Sequence, residues 1–140
     1  MKKVINSKDL MPTVKELIDE GLEVQLTVSG NSMLPFYKDR ETIVTLSKPI
    51  DLKKYDVVLF IFDKKYYLHR IIKIKDYIWI KGDHNTNYEY VLKEEIIAKV
   101  INHSHKQKTI QARSWWYLLK VRMFVVLSTY KRKVNHFHSL

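Results

Sequence analysis

The sequence predicts a mostly β fold, a β-rich α+β chain. The expected core is a small coiled antiparallel sheet or partial barrel, with a short helix before it and another after it. Three observations predict this. Apolar and polar residues alternate in many short runs. Turn residues separate those runs at close spacing. Helical spacing of apolar residues is confined to the two ends of the chain.

The N-terminal helix is expected over about 8–20. Leu10, Val14, Leu17 and Ile18 recur at helical spacing, and Gly21 is a stop signal. Pro12 fits only the first turn; otherwise the helix starts at Thr13, with Thr13 and Glu16 as a capping box. The period then changes to two. Val24, Leu26 and Val28 alternate with Gln25 and Thr27, until Ser29–Pro35 breaks the pattern with turn residues. Further strands are predicted over 42–46, 57–62, 66–74, 77–81 and 96–102, with a weaker one over 109–112. Asp63-Lys64-Lys65 and Lys75-Asp76 are the expected hairpin turns. From Trp115 to Leu127, eleven of thirteen residues are apolar or aromatic. Trp116, Leu119, Met123 and Val126 share one helix face, and basic residues 131–133 follow. The expected organisation is a β-domain with its N-terminal helix over 1–112, then an amphipathic basic and aromatic helix over 113–140. That helix either docks on the β-core or lies in a membrane interface, where Trp, Lys and Arg are favoured.

Composition narrows the function. A chain of 140 residues that is 46% hydrophobic has the size and the apolar content for one cored domain. Cysteine is absent, which excludes disulfides, thiol catalysis and Cys-ligated zinc. A formal net charge of +10 suits nucleic acid, anionic lipid or an acidic peptide. The lysines are scattered, however, with one compact cluster at 131–133, and no nucleic-acid motif is visible, so no nucleic acid is expected. His103/His105 and His136/His138 have spacing that can hold a metal, but no third ligand accompanies them. Neither a metal nor a cofactor is expected. No apolar segment follows Met1-Lys2-Lys3, and no run of 18 apolar residues occurs. The expected location is the cytoplasm, or the inner face of the membrane through residues 113–133 on an anionic surface.

Three short segments carry possible chemistry. Ser32 leaves a strand at a turn containing Gly30, where a substrate backbone can approach and turn amides can face an oxyanion. His69 lies in the strand over 66–74. Alternation puts Tyr67, His69 and Ile71 on one face, and Leu68, Arg70 and Ile72 on the other. A neutral imidazole can take a hydroxyl proton near neutral pH. Asp83, in Lys81-Gly82-Asp83-His84-Asn85, is either a turn former or the acceptor for the second imidazole N–H. Lys73 and Lys81 are the other candidate bases.

In order, Ser29-Gly30-Asn31-Ser32-Met33-Leu34-Pro35, Tyr55–Phe60, Leu68-His69-Arg70-Ile71-Ile72 and Lys81–Asn85 resemble the four boxes of the signal peptidase I family. That wider superfamily includes the LexA-type self-cleaving repressors. The resemblance runs from about residue 24 to 102. It implies Ser32 as nucleophile and His69 as base, in the position where most bacterial members have Lys. A His there looks like the endoplasmic-reticulum and archaeal type. Asp83 is implied to orient the base or support the site, with Glu89 the nearest acid downstream. Met33 and Pro35 are implied to shape the turn and the adjacent subsite. Gly30 stands where many signal peptidases have an oxyanion-binding Ser, so the oxyanion is left to backbone amides at Ser32 and Asn31.

The expected activity is that of a serine endopeptidase removing a leader or signal segment from a peptide or preprotein. Two other readings compete. A self-cleaving regulator needs a DNA-binding domain, and only 23 residues precede Val24. A non-catalytic peptide- or membrane-binding module makes Ser32, His69 and Asp83 coincidental.

Overall fold

The computed structural model describes residues 4–5 and 10–138, with side chains described over 10–133. The elements are β1 (Val4–Ile5), α1 (Met11–Asp19), β2 (Val24–Thr27), β3 (Ile43–Ser47), β4 (Val57–Phe62), β5 (Lys65–Ile74), β6 (Ile78–Lys81), β7 (Glu89–Val91), β8 (Ile96–His105), β9 (Lys108–Gln111) and α2 (Trp115–His138).

One sheet runs β1-β2-β3-β8-β4-β5-β6-β7, with β9 paired to β8. Every pairing is antiparallel except β1 with β2. The mostly β expectation holds, and the sheet does not close into a barrel: β1 and β7 are its two ends. The ladder is interrupted at three points. The register shifts between Thr45 and Leu46, between Leu59 and Phe60, and between Ile71 and Lys73. Bulges of this kind bend a strand and increase its twist.

The sheet has two covered faces. Val57 and Leu59 of β4 join a core with Val14, Ile18, Leu26, Met33, Tyr37 and Val100. Val58 and Phe60 join a second core with Ile71, Ile78, Ile80 and Ile96. This explains why β4 is a continuous apolar run rather than an alternating one. Two hairpins turn on two residues each. Asp63 and Lys64 connect β4 to β5 with φ of 50° and 64°, and Lys106 and Gln107 connect β8 to β9 with 49° and 66°. Left-handed conformation at both positions matches the twist of the flanking strands.

In α1, Pro12 occupies the first turn and no side chain caps the N-terminus, so the helix does not begin at a Thr13 box. Gly21, at φ 87°, ends it. Its N–H donates to Ile18 O, and Leu22 N–H donates to Leu17 O, which satisfies carbonyls the helix would leave open.

Helix α2 extends eleven residues beyond Leu127. It docks on the β-core through the face opposite Trp116, Leu119, Met123 and Val126. Tyr117 and Val121 are buried, and Phe36 packs edge-on against both Tyr117 and Phe124. Trp116, Leu119, Met123 and Val126 point outward and are exposed. Both sides of the helix are apolar, so periodicity alone does not distinguish the docked side from the free one.

Under α2, His103 of β8 is buried between the rings of Tyr37 and Tyr117, with centroids 4.9 and 5.1 Å away. Burial, helped by the Arg70 charge, lowers its pKa from 6.5 to about 4. The unfolded chain therefore binds the proton more readily than the folded one. Stability from this group is complete above pH 6.5 and is lost as pH falls toward 4. The expected loss is about 2–3 kcal/mol. Urea melts at pH 7 and pH 4.5 test this: His103→Phe is expected to have the flatter dependence.

Candidate active site

Ser32 sits in the irregular turn between β2 and β3. Gly30 has φ of 91°, a conformation that favours glycine, and its N–H donates to Asp39 Oδ1 at 2.7 Å. That N–H is therefore engaged within the turn and not free for an oxyanion. Asn31 and Pro35 are exposed, while Met33 is buried and anchors the turn in the core. Met33 O accepts from the N–H groups of Phe36 and Tyr37, both at 3.0 Å.

A second loop, between β6 and β7, buttresses this turn. His84 N–H donates to Ser32 O at 2.8 Å, and Asp83 N–H points at Met33 Sδ, 3.4 Å away. Gly82 is required for the approach. A Cβ there would lie 2.7 Å from Ser32 O and 2.7 Å from Asn85 Nδ2. Lys81 Nζ, a candidate base from sequence, donates instead to Gly82 O and Asn85 O at 3.1 and 2.8 Å. It acts as a clasp on the loop. Lys73, the other candidate, is exposed and lies over the Trp79 ring.

Strand alternation sends His69 and Arg70 of β5 to opposite faces, as expected. His69 is 3% exposed and lies against Phe60 and Tyr67. Its Nε2 is 3.2 Å from Ser32 Oγ. On the far side of the ring, Nδ1 is 2.9 Å from Glu89 Oε1 of β7. This is a close polar contact, although the oxygen lies off the ring N–H axis. A carboxylate facing Nδ1 favours the tautomer with its proton there, leaving Nε2 to accept from the Ser32 hydroxyl.

Asp83 does not take this position. Its carboxylate accepts from Arg70 Nε at 2.9 Å and from Arg70 Nη2 at 2.8 Å, and both side chains are essentially inaccessible. The reason is electrostatic: a guanidinium fully inside the protein needs a counter-ion with matching geometry. Arg70 further donates to Tyr55 O and to the Tyr117 hydroxyl, and stacks over Phe36. Burial by itself would lower the Arg70 pKa, but the charge of Asp83, with Tyr117, outweighs it and keeps the group firmly cationic. Asp83 thus ties β5, the Ser32 buttress and α2 together. Glu89 stands where the sequence suggested Asp83. The signal for this was Arg70: alternation buries it opposite His69, and a buried Arg claims the nearest acid.

Sequence comparison places the chain in the LexA-like serine peptidase superfamily. A family model described as Peptidase S24-like matches residues 4–101, and the chain belongs to that family. A search of curated proteins finds no match.

Proposed function

We propose that the protein is a serine endopeptidase acting through Ser32, His69 and Glu89. The observation that carries this is the line of contacts Ser32 Oγ to His69 Nε2 to Nδ1 to Glu89 Oε1, at 3.2 and 2.9 Å. Ser32 Oγ attacks the scissile carbonyl carbon while its proton passes to His69 Nε2. Backbone N–H groups at the turn, Ser32 N–H foremost and Asn31 beside it, receive the oxyanion. The C–N bond breaks as Nε2 returns the proton to the leaving amine. Water then hydrolyses the acyl-enzyme, with His69 again taking a proton. Glu89 holds the tautomer and stabilises the imidazolium.

The substrate class we assign is an extended peptide segment with small side chains at the cut, as in a leader on a peptide or preprotein. A panel of leader and signal peptides, incubated with the protein and read by mass spectrometry, tests this. A single cut beside small residues is the expected product. Products lacking any such preference would remove the leader assignment, and an uncut panel would count against the peptidase reading.

The Gly82 contact gives a further test. Gly82→Ala forces a methyl group against Ser32 O and displaces the nucleophile. A misplacement of this order is expected to lower kcat/KM by about 10²-fold. Wild-type kinetics in this variant would show that the loop does not set the position of Ser32.

A further inference from the structure

We infer that the outward face of α2 is a docking surface for an anionic lipid bilayer, on which the protein lies without crossing it. This inference does not depend on the peptidase reading. Trp115, Trp116, Leu119, Met123, Val126, Leu127 and Tyr130 are between 39% and 68% exposed. At 3.6 residues per turn they form one stripe along the helix, opposite buried Tyr117 and Val121. A stripe of this size in solvent needs an occupant.

Charge identifies that occupant. Over Trp115–His138 the sequence has five Lys and Arg residues and no acid, half the net +10 of the chain. Helical spacing puts Lys120 and Lys131 along one border of the stripe, and Arg122 and Lys133 along the other. An apolar centre flanked on both sides by cations fits lipid tails below and anionic headgroups beside them. A second copy of the chain would set like charges against each other. A nucleic acid would need cations at the centre of the face, where the aromatic and aliphatic groups stand. Among the described residues no helix is long and apolar enough to cross a membrane, so the helix rests in the interface.

The opposite side of α2 holds it to the rest of the molecule. Arg132 donates to Thr86 O and lies over the Tyr88 ring, both in the loop that buttresses Ser32. A bilayer on the stripe therefore lies across α2 from the loop that supports Ser32.

The test is co-sedimentation of the full chain with vesicles of phosphatidylcholine, with and without phosphatidylglycerol. Partitioning is expected to be about tenfold or more stronger with the anionic lipid. It is expected to fall by about the same factor in Trp116→Ser/Met123→Ser and, independently, in Lys120→Glu/Arg122→Glu. These side chains face away from the core, and circular dichroism checks that each variant stays folded. Quenching of Trp fluorescence by brominated lipid is expected in the wild type. Failure to bind anionic vesicles, or binding that both folded variants retain, overturns the inference. A wild-type dimer in light scattering that Trp116→Ser/Met123→Ser converts to a monomer, without vesicle binding, would assign the face to a second copy instead.

Discussion

His69→Ala is expected to lower the rate of peptide cleavage by about 10⁴-fold or more, with the fold intact. His69 is the group within reach of both Ser32 Oγ and a carboxylate, so no neighbour replaces it. Lys81 is spoken for by two carbonyl oxygens and Lys73 lies out over Trp79. Ser32→Ala is expected to cost about as much, and the double variant no more than either one, because the pair acts as a unit. Glu89→Gln tests the third position. An amide cannot stabilise the imidazolium and can present a donor to Nδ1, so the expected loss is about 10²- to 10⁴-fold. Steady-state kinetics on one cleaved peptide measures all four. A Glu89→Gln variant with wild-type kcat would remove Glu89 from the mechanism.

Asp83→Asn is expected to act on stability, lowering it by about 3–5 kcal/mol. The replacement leaves Arg70 inside the protein without its counter-ion, facing an amide that satisfies the fork poorly. Damage then spreads along its contacts, since Arg70 also holds Tyr55 O and the Tyr117 hydroxyl. Loss of activity in Asp83→Asn would follow from loss of the loop that supports Ser32. Glu89→Gln, by contrast, is expected to change stability by about 1 kcal/mol or less. Urea denaturation of the two variants side by side separates the roles. An Asp83→Asn protein as stable as the wild type would mean that Arg70 does not depend on this pair.

Much of this fold is legible in the sequence because half-buried strands declare themselves. Val24–Thr27 alternates, and the stretch that carries His69 and Arg70 to opposite faces reads as a strand from its β-branched and aromatic residues, although its centre is buried on both faces. The strand over Glu89–Val91 is silent by comparison. Three residues cannot establish a period, and the stretch gains its identity by pairing with Ile78–Ile80. Glu89 was therefore visible only as the nearest downstream acid, while Asp83 stood inside a recognisable box. Choosing between them requires knowing which acid Arg70 claims, a question of three-dimensional burial. The C-terminal helix is a different case. Its existence follows from composition, but its docked face does not, because Trp116, Leu119 and Met123 are as apolar as the Tyr117, Val121 and Phe124 that actually face the core. Beneath them Phe36 and the buried Arg70 choose Tyr117, which offers both a ring and a hydroxyl.

The most direct measurement is the cleavage rate of one peptide substrate by the wild type and by Ser32→Ala under identical conditions, with products identified by mass. The Ser32–His69–Glu89 account predicts a defined cut by the wild type and a rate lower by about 10⁴-fold or more in the variant. The same cut at a comparable rate in Ser32→Ala would contradict it.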